Sequence, residues 1–148
     1  MAASISTIPY RARAGGVPNG AVVLLGRFLF ALIFLLSWVN HLGIQAMAYA
    51  EAQGVPLASI VVPYSGTLAV IGALSILTGY RARVGAWLIV LFLLPVTFAM
   101  HNFWAVHDPL MKQLQMNMFL KNLAMLGGAL LISQYGSGPL SLDAPRSL

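Results

Sequence analysis

The sequence predicts an all-α integral membrane protein, a four-transmembrane-helix antiparallel bundle with a short interfacial helix between spans 1 and 2. Hydrophobic residues make up 59% of the 148 residues and charged residues only 7%, whereas about 25% of an ordinary soluble domain is charged. Four stretches also approach the roughly 20 apolar residues that cross a bilayer. Because these stretches are continuous rather than alternating, they favour helices over the strands of a membrane barrel.

Short connections join the four predicted spans, which favours antiparallel neighbours. The spans cover residues 21–40, 58–78, 84–104 and 110–133. Asp108 followed by Pro109 is typical of the start of a helix and opens the fourth span. We therefore expect one membrane domain at 21–133 between an N-terminal tail, 1–20, and a C-terminal tail, 134–148.

The connection between the first two spans is more than a plain linker. Its apolar residues fall at helical spacing and are followed by a Gly54-Val55-Pro56 stop. They are Leu42, Ala46, Tyr49 and Ala50. This pattern predicts a short helix that lies in the membrane interface.

In the second span, small residues such as Gly66 and Gly72 predict close helix packing.

Basic residues near the span ends predict the orientation of the chain. They lie before the first span, between the second and third, and after the fourth, namely at Arg11, Arg13, Arg81, Arg83 and Arg146. Cytoplasmic loops carry an excess of such residues. We therefore predict a multi-pass membrane protein with both termini in the cytoplasm.

Several classes of function are disfavoured by the composition. The chain has no cysteine, so it lacks disulfides and thiolate metal sites. It contains no phosphate loop, dinucleotide fingerprint or nucleophile motif. Although the net charge is +5, the basic residues form no run, and no nucleic-acid partner is expected. No catalytic residue or metal site can be assigned, and whether the protein is an enzyme stays open.

The polar residues of the fourth span are the first candidates for a binding site. Asn117 and Lys121 share one helix face with Gln113, and Asn122 lies beside that face. At about 1.5 Å per residue, Lys121 lies roughly 18 Å along the helix from Pro109. Membrane-embedded charges usually face the bundle or a wet cavity, so we expect this lysine to point inward. No acidic residue lies in any span to pair with it.

Four further candidates lie in or near the other spans. Arg27 is a second embedded cation, which either reaches inner-leaflet phosphates or binds a ligand. His41 and His101 lie at one depth on neighbouring spans, where hydrogen bonding or proton transfer is favoured over haem or metal ligation. Trp104 belongs to an aromatic belt or contacts a ligand.

Several segments, taken in order, resemble the DoxX family of small four-span membrane proteins. They are "GRFLFALIFLLSWVNHL" (26–42), "GVP" (54–56), "GALSILTGYRARVGAWL" (72–88), "HNFW" (101–104), "FLKNLAMLGGALLI" (119–132) and "GSGPLSLD" (136–143). The resemblance implies a four-helix bundle in the bacterial cytoplasmic (inner) membrane, and some of these relatives are subunits of thiosulfate:quinone oxidoreductase. It carries over Arg27, Lys121 and Asn122 as a polar core. One departure is that Trp38 and His41 replace a glycine and a lysine common in that family.

The leading hypothesis from the sequence is therefore a quinone- or redox-linked subunit or accessory of a membrane oxidoreductase complex. Lys121 and Asn122 would hydrogen-bond a quinone carbonyl or an anionic substrate. No cofactor is evident, and quinone is the one considered. The expected partners are membrane lipids, with proteins of a complex or further copies of the chain. Alternatives are a non-catalytic scaffold or assembly factor, or a protein that binds small molecules or lipids.

Overall fold

The computed structural model describes residues 19–143, and within this range all regular structure is helical. Five α-helices follow in order, α1 Gly20–His41, α2 Ile44–Ala52, α3 Ala58–Thr78, α4 Ala82–Met100 and α5 Pro109–Tyr135, with one 3₁₀ turn at Phe103–Ala105. The segments that contain α1, α3, α4 and α5 are each long and apolar enough to cross a membrane. The predicted four-span fold is confirmed, and the protein is a multi-pass membrane protein whose spans contact lipid. Of the predicted tails, 1–20 and 134–148, residues 1–18 and 144–148 lie outside the described residues.

Two predicted local features are present, and two boundaries differ. The Asp108 carboxylate accepts the backbone N–H of Met111 at 2.8 Å, and Pro109 opens α5 as expected. The short helix between the first two spans is α2. However, α4 ends at Met100 rather than at 104, because the backbone of His101 leaves the helical region. At the other end, α5 continues to Tyr135 until Gly136 turns the chain at a φ of 79°.

Small residues allow α3 and α4 to approach closely. A Cβ on Gly72 would lie 2.8 Å from the carbonyl oxygen of Gly85, and a Cβ on Gly85 would lie 2.7 Å from that of Gly72. Such contacts are closer than side chains permit, so only glycine fits at both positions. The buried face of α3 is otherwise made largely of small and branched residues, Ala58, Val62, Gly66, Ala69, Gly72, Ala73 and Ile76.

The bundle is less tightly joined along one side. Helix α1 packs against α3, α3 against α4 and α4 against α5, whereas α1 and α5 make little backbone contact. The side chain of Phe30 crosses from α1 toward Gly128 of α5, where a Cβ would lie 3.0 Å from its ring. The space between α1 and α5 is therefore bridged by a side chain rather than closed by helix packing.

The segment after α5 folds back onto the bundle. The Leu142 N–H donates to the carbonyl oxygen of Thr78 at 3.1 Å, and the Asp143 carboxylate accepts the backbone N–H of Arg81. These bonds hold residues 136–143 against the connection between α3 and α4. We call this end of the bundle the loop end and the opposite end, which carries α2, the α2 end.

Candidate functional site

A largely apolar cavity lies at the α2 end, between α1, α5 and the helices that join them. Its volume is about 390 Å³, within the range of about 300–1,000 Å³ that is typical of ligand sites. The apolar part of its wall includes Phe34, Val62, Phe92, Leu93, Val96 and Met125. Such a wall suits a hydrocarbon chain or another apolar body.

A few polar side chains interrupt this wall. They are Ser37, Asn40, His41, Tyr49, Ser65, His101, Lys121 and Asn122. The Nδ1 atom of His41 lies 2.9 Å from the carbonyl oxygen of Ser37, and its ring lies 5.7 Å from that of Phe92. A Cβ on Gly66 would lie 2.7 Å from the Cβ of His41. The absence of a side chain at Gly66 therefore makes room for the histidine.

Lys121 and Asn122 stand at the α5 wall of the cavity in different environments. Asn122 is only 5% exposed, and within residues 19–143 no hydrogen bond to its side chain is formed. Lys121 is exposed at the rim of the cavity. Its ammonium lies 3.2 Å from the sulfur of Met118, a weak acceptor. The site therefore offers a cation and an amide that lack a strong protein partner in the described part of the chain.

A hydrogen-bond chain ties α2 to the rim. The Gln115 amide lies between two partners, with its Oε1 2.8 Å from Nδ1 of His101 and its Nε2 donating to the Tyr49 hydroxyl at 3.0 Å. The Tyr49 hydroxyl in turn lies 3.4 Å from the carbonyl oxygen of Met100. The chain links α2 to the end of α4 and to α5 beside the cavity.

The structure brings together four of the seven residues that the sequence singled out. His41, His101, Lys121 and Asn122 all line the one cavity. Sequence reasoning missed Tyr49 and Gln115 as site residues. The helical pattern of the first connection contained Tyr49, but nothing local indicated that it faces Gln115, 66 residues away.

Asn117 and Trp104 lie outside the cavity wall. The side chain of Asn117 accepts a hydrogen bond from Gln113 at 3.2 Å on an exposed face of α5. Trp104 packs edge-on against Phe103 and Phe119, at 5.2 and 5.9 Å between ring centroids. Both residues therefore have structural neighbours that account for their positions.

Arg27 lies at the loop end and not in the cavity. Its side chain is 4% exposed, and Nη2 donates to the carbonyl oxygen of Leu140. The Nε and Nη1 atoms are buried and have no hydrogen-bond partner within the described residues. The structure does not place Arg27 in one polar core with Lys121 and Asn122.

Comparison with known proteins identifies a family model and two relatives of this chain. The family model that matches residues 18–147 is described as the SURF4 family. The chain is similar to the inner membrane protein YqjF of Escherichia coli (strain K12), with 32% identity over 123 residues, which are 82% of this chain and 88% of that protein. It is also similar to the ER-derived vesicles protein ERV29 of Saccharomyces cerevisiae (strain ATCC 204508 / S288c), with 26% identity over 130 residues. That match covers 88% of this chain but only 35% of ERV29. No solved structure matches the chain.

These findings overturn the DoxX assignment and, with it, the quinone-linked oxidoreductase subunit. The quoted segments consist largely of small and apolar residues, and the structure gives several of them packing or anchoring positions. Gly72 and Gly85 sit where two helices touch, and Leu140 and Asp143 of the closing segment bind the loop end. Short segments with such roles do not distinguish one four-span family from another.

Proposed function

The chain belongs to the SURF4 family, and we propose that it is a membrane receptor for an acyl-chain ligand that carries a carboxylate head group. The ligand would lie in the cavity at the α2 end. The observation that carries this proposal is the position of Lys121 at the rim of an apolar cavity, where this cation has no carboxylate partner among residues 19–143.

The charge of Lys121 favours an anionic ligand. Lysine inside a membrane costs about 2.5–3.5 kcal/mol at the centre of a span, and no acidic residue lies in any span to offset this. A bound carboxylate would accept charge-assisted hydrogen bonds from the ammonium, which are among the stronger ones in proteins. The Asn122 amide, buried beside it, supplies additional donors.

The shape of the cavity favours an acyl chain as the rest of the ligand. Most of the wall is apolar, so an acyl chain that moves from the lipid into the cavity loses no hydrogen bonds. The polar part of the wall near α5 is small, which suits a carboxylate better than a bulky head group. Because α1 and α5 make little backbone contact, we expect a ligand dissolved in the membrane to enter the cavity between these two helices.

We place this receptor in the inner membrane with both termini in the cytoplasm. The location is supported by the similarity to an inner membrane protein of E. coli, and the orientation by the basic residues at Arg81 and Arg83. A reporter that fluoresces only in the cytoplasm, fused after residue 148, should be bright, and a reporter that is active only outside should be inactive. The opposite pattern would invert the proposed topology.

Binding of a labelled fatty acid tests the proposed function. In a scintillation proximity assay on the full-length protein in detergent, tritiated oleate should bind with saturation, and tritiated monoolein, its neutral analogue, should bind far more weakly. Lys121→Gln should weaken oleate binding by about tenfold or more, since hydrogen bonds to charged groups contribute about 1.5–3 kcal/mol.

Lys112→Gln is the matched control, because Lys112 lies on the same helix, is exposed and does not line the cavity. It should leave oleate binding unchanged. Equal binding of oleate and monoolein, or equal losses in the two lysine variants, would rule out the proposed receptor.

A further inference from the structure

The loop end holds a second cleft whose chemistry differs from that of the cavity at the α2 end. It opens between the start of α4 and residues 135–143, with a volume of about 830 Å³. Its polar lining consists of Arg81, Arg83, Tyr135, Ser137, Ser141 and Asp143. Nothing in the proposed receptor function uses this cleft.

The described lining of the cleft carries a net positive charge. Arg81 and Arg83 are both exposed and line it, and Asp143 supplies the one carboxylate among the lining residues within 19–143. That carboxylate accepts the backbone N–H of Arg81, while the Arg81 guanidinium lies 5.6 Å from the centre of the Tyr80 ring. Within residues 19–143 neither guanidinium donates a hydrogen bond. The N–H groups of both guanidinium groups are therefore available to bind an anion.

The wall that faces the arginines is held in place by its own contacts. Gly136 and Gly138 adopt positive φ angles of 79° and 67° and turn the chain back toward the bundle. The Ser137 hydroxyl donates to Oγ of Ser141 at 3.0 Å. The Arg27 guanidinium donates to the carbonyl oxygen of Leu140 in the same segment. A site whose walls are already formed loses little conformational freedom when it binds.

We propose that this cleft binds the phosphate head group of an anionic membrane lipid, and that Arg81 and Arg83 are the residues that contact the phosphate. Arginine matches phosphate geometry through paired N–H donors. Basic pockets between spans on the cytoplasmic side are suited to anionic head groups, which are concentrated in that leaflet.

The position of the cleft distinguishes a lipid from free phosphate. The α3 helix ends at Thr78 and α4 begins at Ala82, so the arginines lie where two spans reach the membrane surface. Exposed Tyr80 and Tyr135 stand at the same end, as is usual for tyrosine at an interface. From the cleft, exposed apolar residues continue along one face of α4 at Val84, Trp87 and Leu91. This face offers acyl chains a path that a free phosphate would not use.

Lipid binding to the full-length, delipidated protein in neutral detergent tests the proposal. Phosphatidylglycerol should raise the melting temperature by several degrees and bind with saturation, whereas phosphatidylcholine should not. The doubly substituted Arg81→Asn/Arg83→Gln protein should bind phosphatidylglycerol at least tenfold more weakly. Asparagine is chosen at position 81 because the backbone there has a φ of 49°, which asparagine tolerates.

Three further measurements decide the outcome. Lys112→Gln, which removes an exposed charge elsewhere, should bind phosphatidylglycerol as the unsubstituted protein does. Arg81→Lys/Arg83→Lys, which keeps both charges but not the paired donors, should show a smaller loss than the neutral pair and keeps the test valid if that pair folds poorly. Inorganic phosphate alone should give no shift at millimolar concentration. A shift by phosphate equal to that by the lipid, or unaltered lipid binding in both arginine pairs, would overturn the proposal.

Discussion

The guanidinium of Arg27 donates a hydrogen bond to the carbonyl oxygen of Leu140, 113 residues further along the chain. This bond joins the first span to the segment that follows the last one. Gly79 lies directly beside it, since a Cβ there would overlap both Nη1 of Arg27 and Ser141. A buried cation in α1 therefore anchors the wall of the cleft at the loop end.

Loss of this anchor should free the segment after α5. We expect Arg27→Met to increase amide hydrogen exchange of residues 137–143 by tenfold or more, because a hydrogen bond to a charged group contributes about 1.5–3 kcal/mol. Exchange in α3 and α4 should change little. Arg83→Gln is the control, since that exposed arginine makes no hydrogen bond to the segment in the described part of the chain. Equal protection of 137–143 in both variants would contradict the anchoring role.

Close packing of α3 on α4 should make Gly72 intolerant of any side chain. Gly72→Ala places a Cβ 2.8 Å from the backbone oxygen of Gly85, and the overpacking should destabilise the protein by about 1–3 kcal/mol. Gly127→Ala is the matched control, because a Cβ there meets nothing within 4 Å. It should be neutral or stabilising by up to about 1 kcal/mol, as alanine favours helix. Thermal unfolding in detergent measures both, and similar melting temperatures would refute the packing argument.

Replacement of Asn122 should separate stability from binding. Asn122→Leu exchanges a buried amide without a partner in the described residues for an apolar group of similar size. Because the amide makes no hydrogen bond within residues 19–143, its replacement breaks none, and the variant should be about as stable as the parent protein. Its affinity for oleate should nevertheless fall. Asn117→Leu, on the exposed face of α5, should leave oleate binding intact. If Asn117→Leu weakened binding and Asn122→Leu did not, the binding site would lie on that exposed face instead.

The hydrogen-bond chain at the rim should govern how long a ligand stays. Tyr49→Phe removes the hydroxyl that accepts from Gln115, a loss of about 0.5–1.5 kcal/mol. We expect oleate to dissociate several-fold faster, because α2 is held less firmly over the cavity. Tyr64→Phe is the control, since Tyr64 is exposed and does not line the cavity. Equal dissociation rates in the two variants would exclude α2 as the closing element.

Local features of the fold could be predicted because each depends on neighbouring residues. Apolar runs long enough to cross a bilayer appear directly in the composition of a window. The Asp108 cap acts on Met111, three residues away. The end of α4 was placed too late because the apolar run continues through Trp104, whereas the backbone already leaves the helix at His101.

The candidate site was predicted in part, for a related reason. His41, His101, Lys121 and Asn122 were recognised because a polar side chain in an apolar span is conspicuous by itself, and the structure places all four on one cavity. Tyr49 and Gln115 were missed because their significance depends on each other across 66 residues. The family assignment failed because short segments of small and apolar residues satisfy the packing of many four-span bundles.

Arg27 and Lys121 illustrate what the sequence determines and what only the tertiary structure determines. The sequence by itself determined that the chain spans a membrane four times and that each residue puts a cation into an apolar helix, since both facts follow from residue type and spacing. Only the tertiary structure decided what each cation meets. Arg27 meets the carbonyl of Leu140 from a distant segment, and Lys121 meets a cavity between helices that do not close on each other. Burial and partners depend on contacts between segments that lie far apart in sequence, which no local pattern encodes.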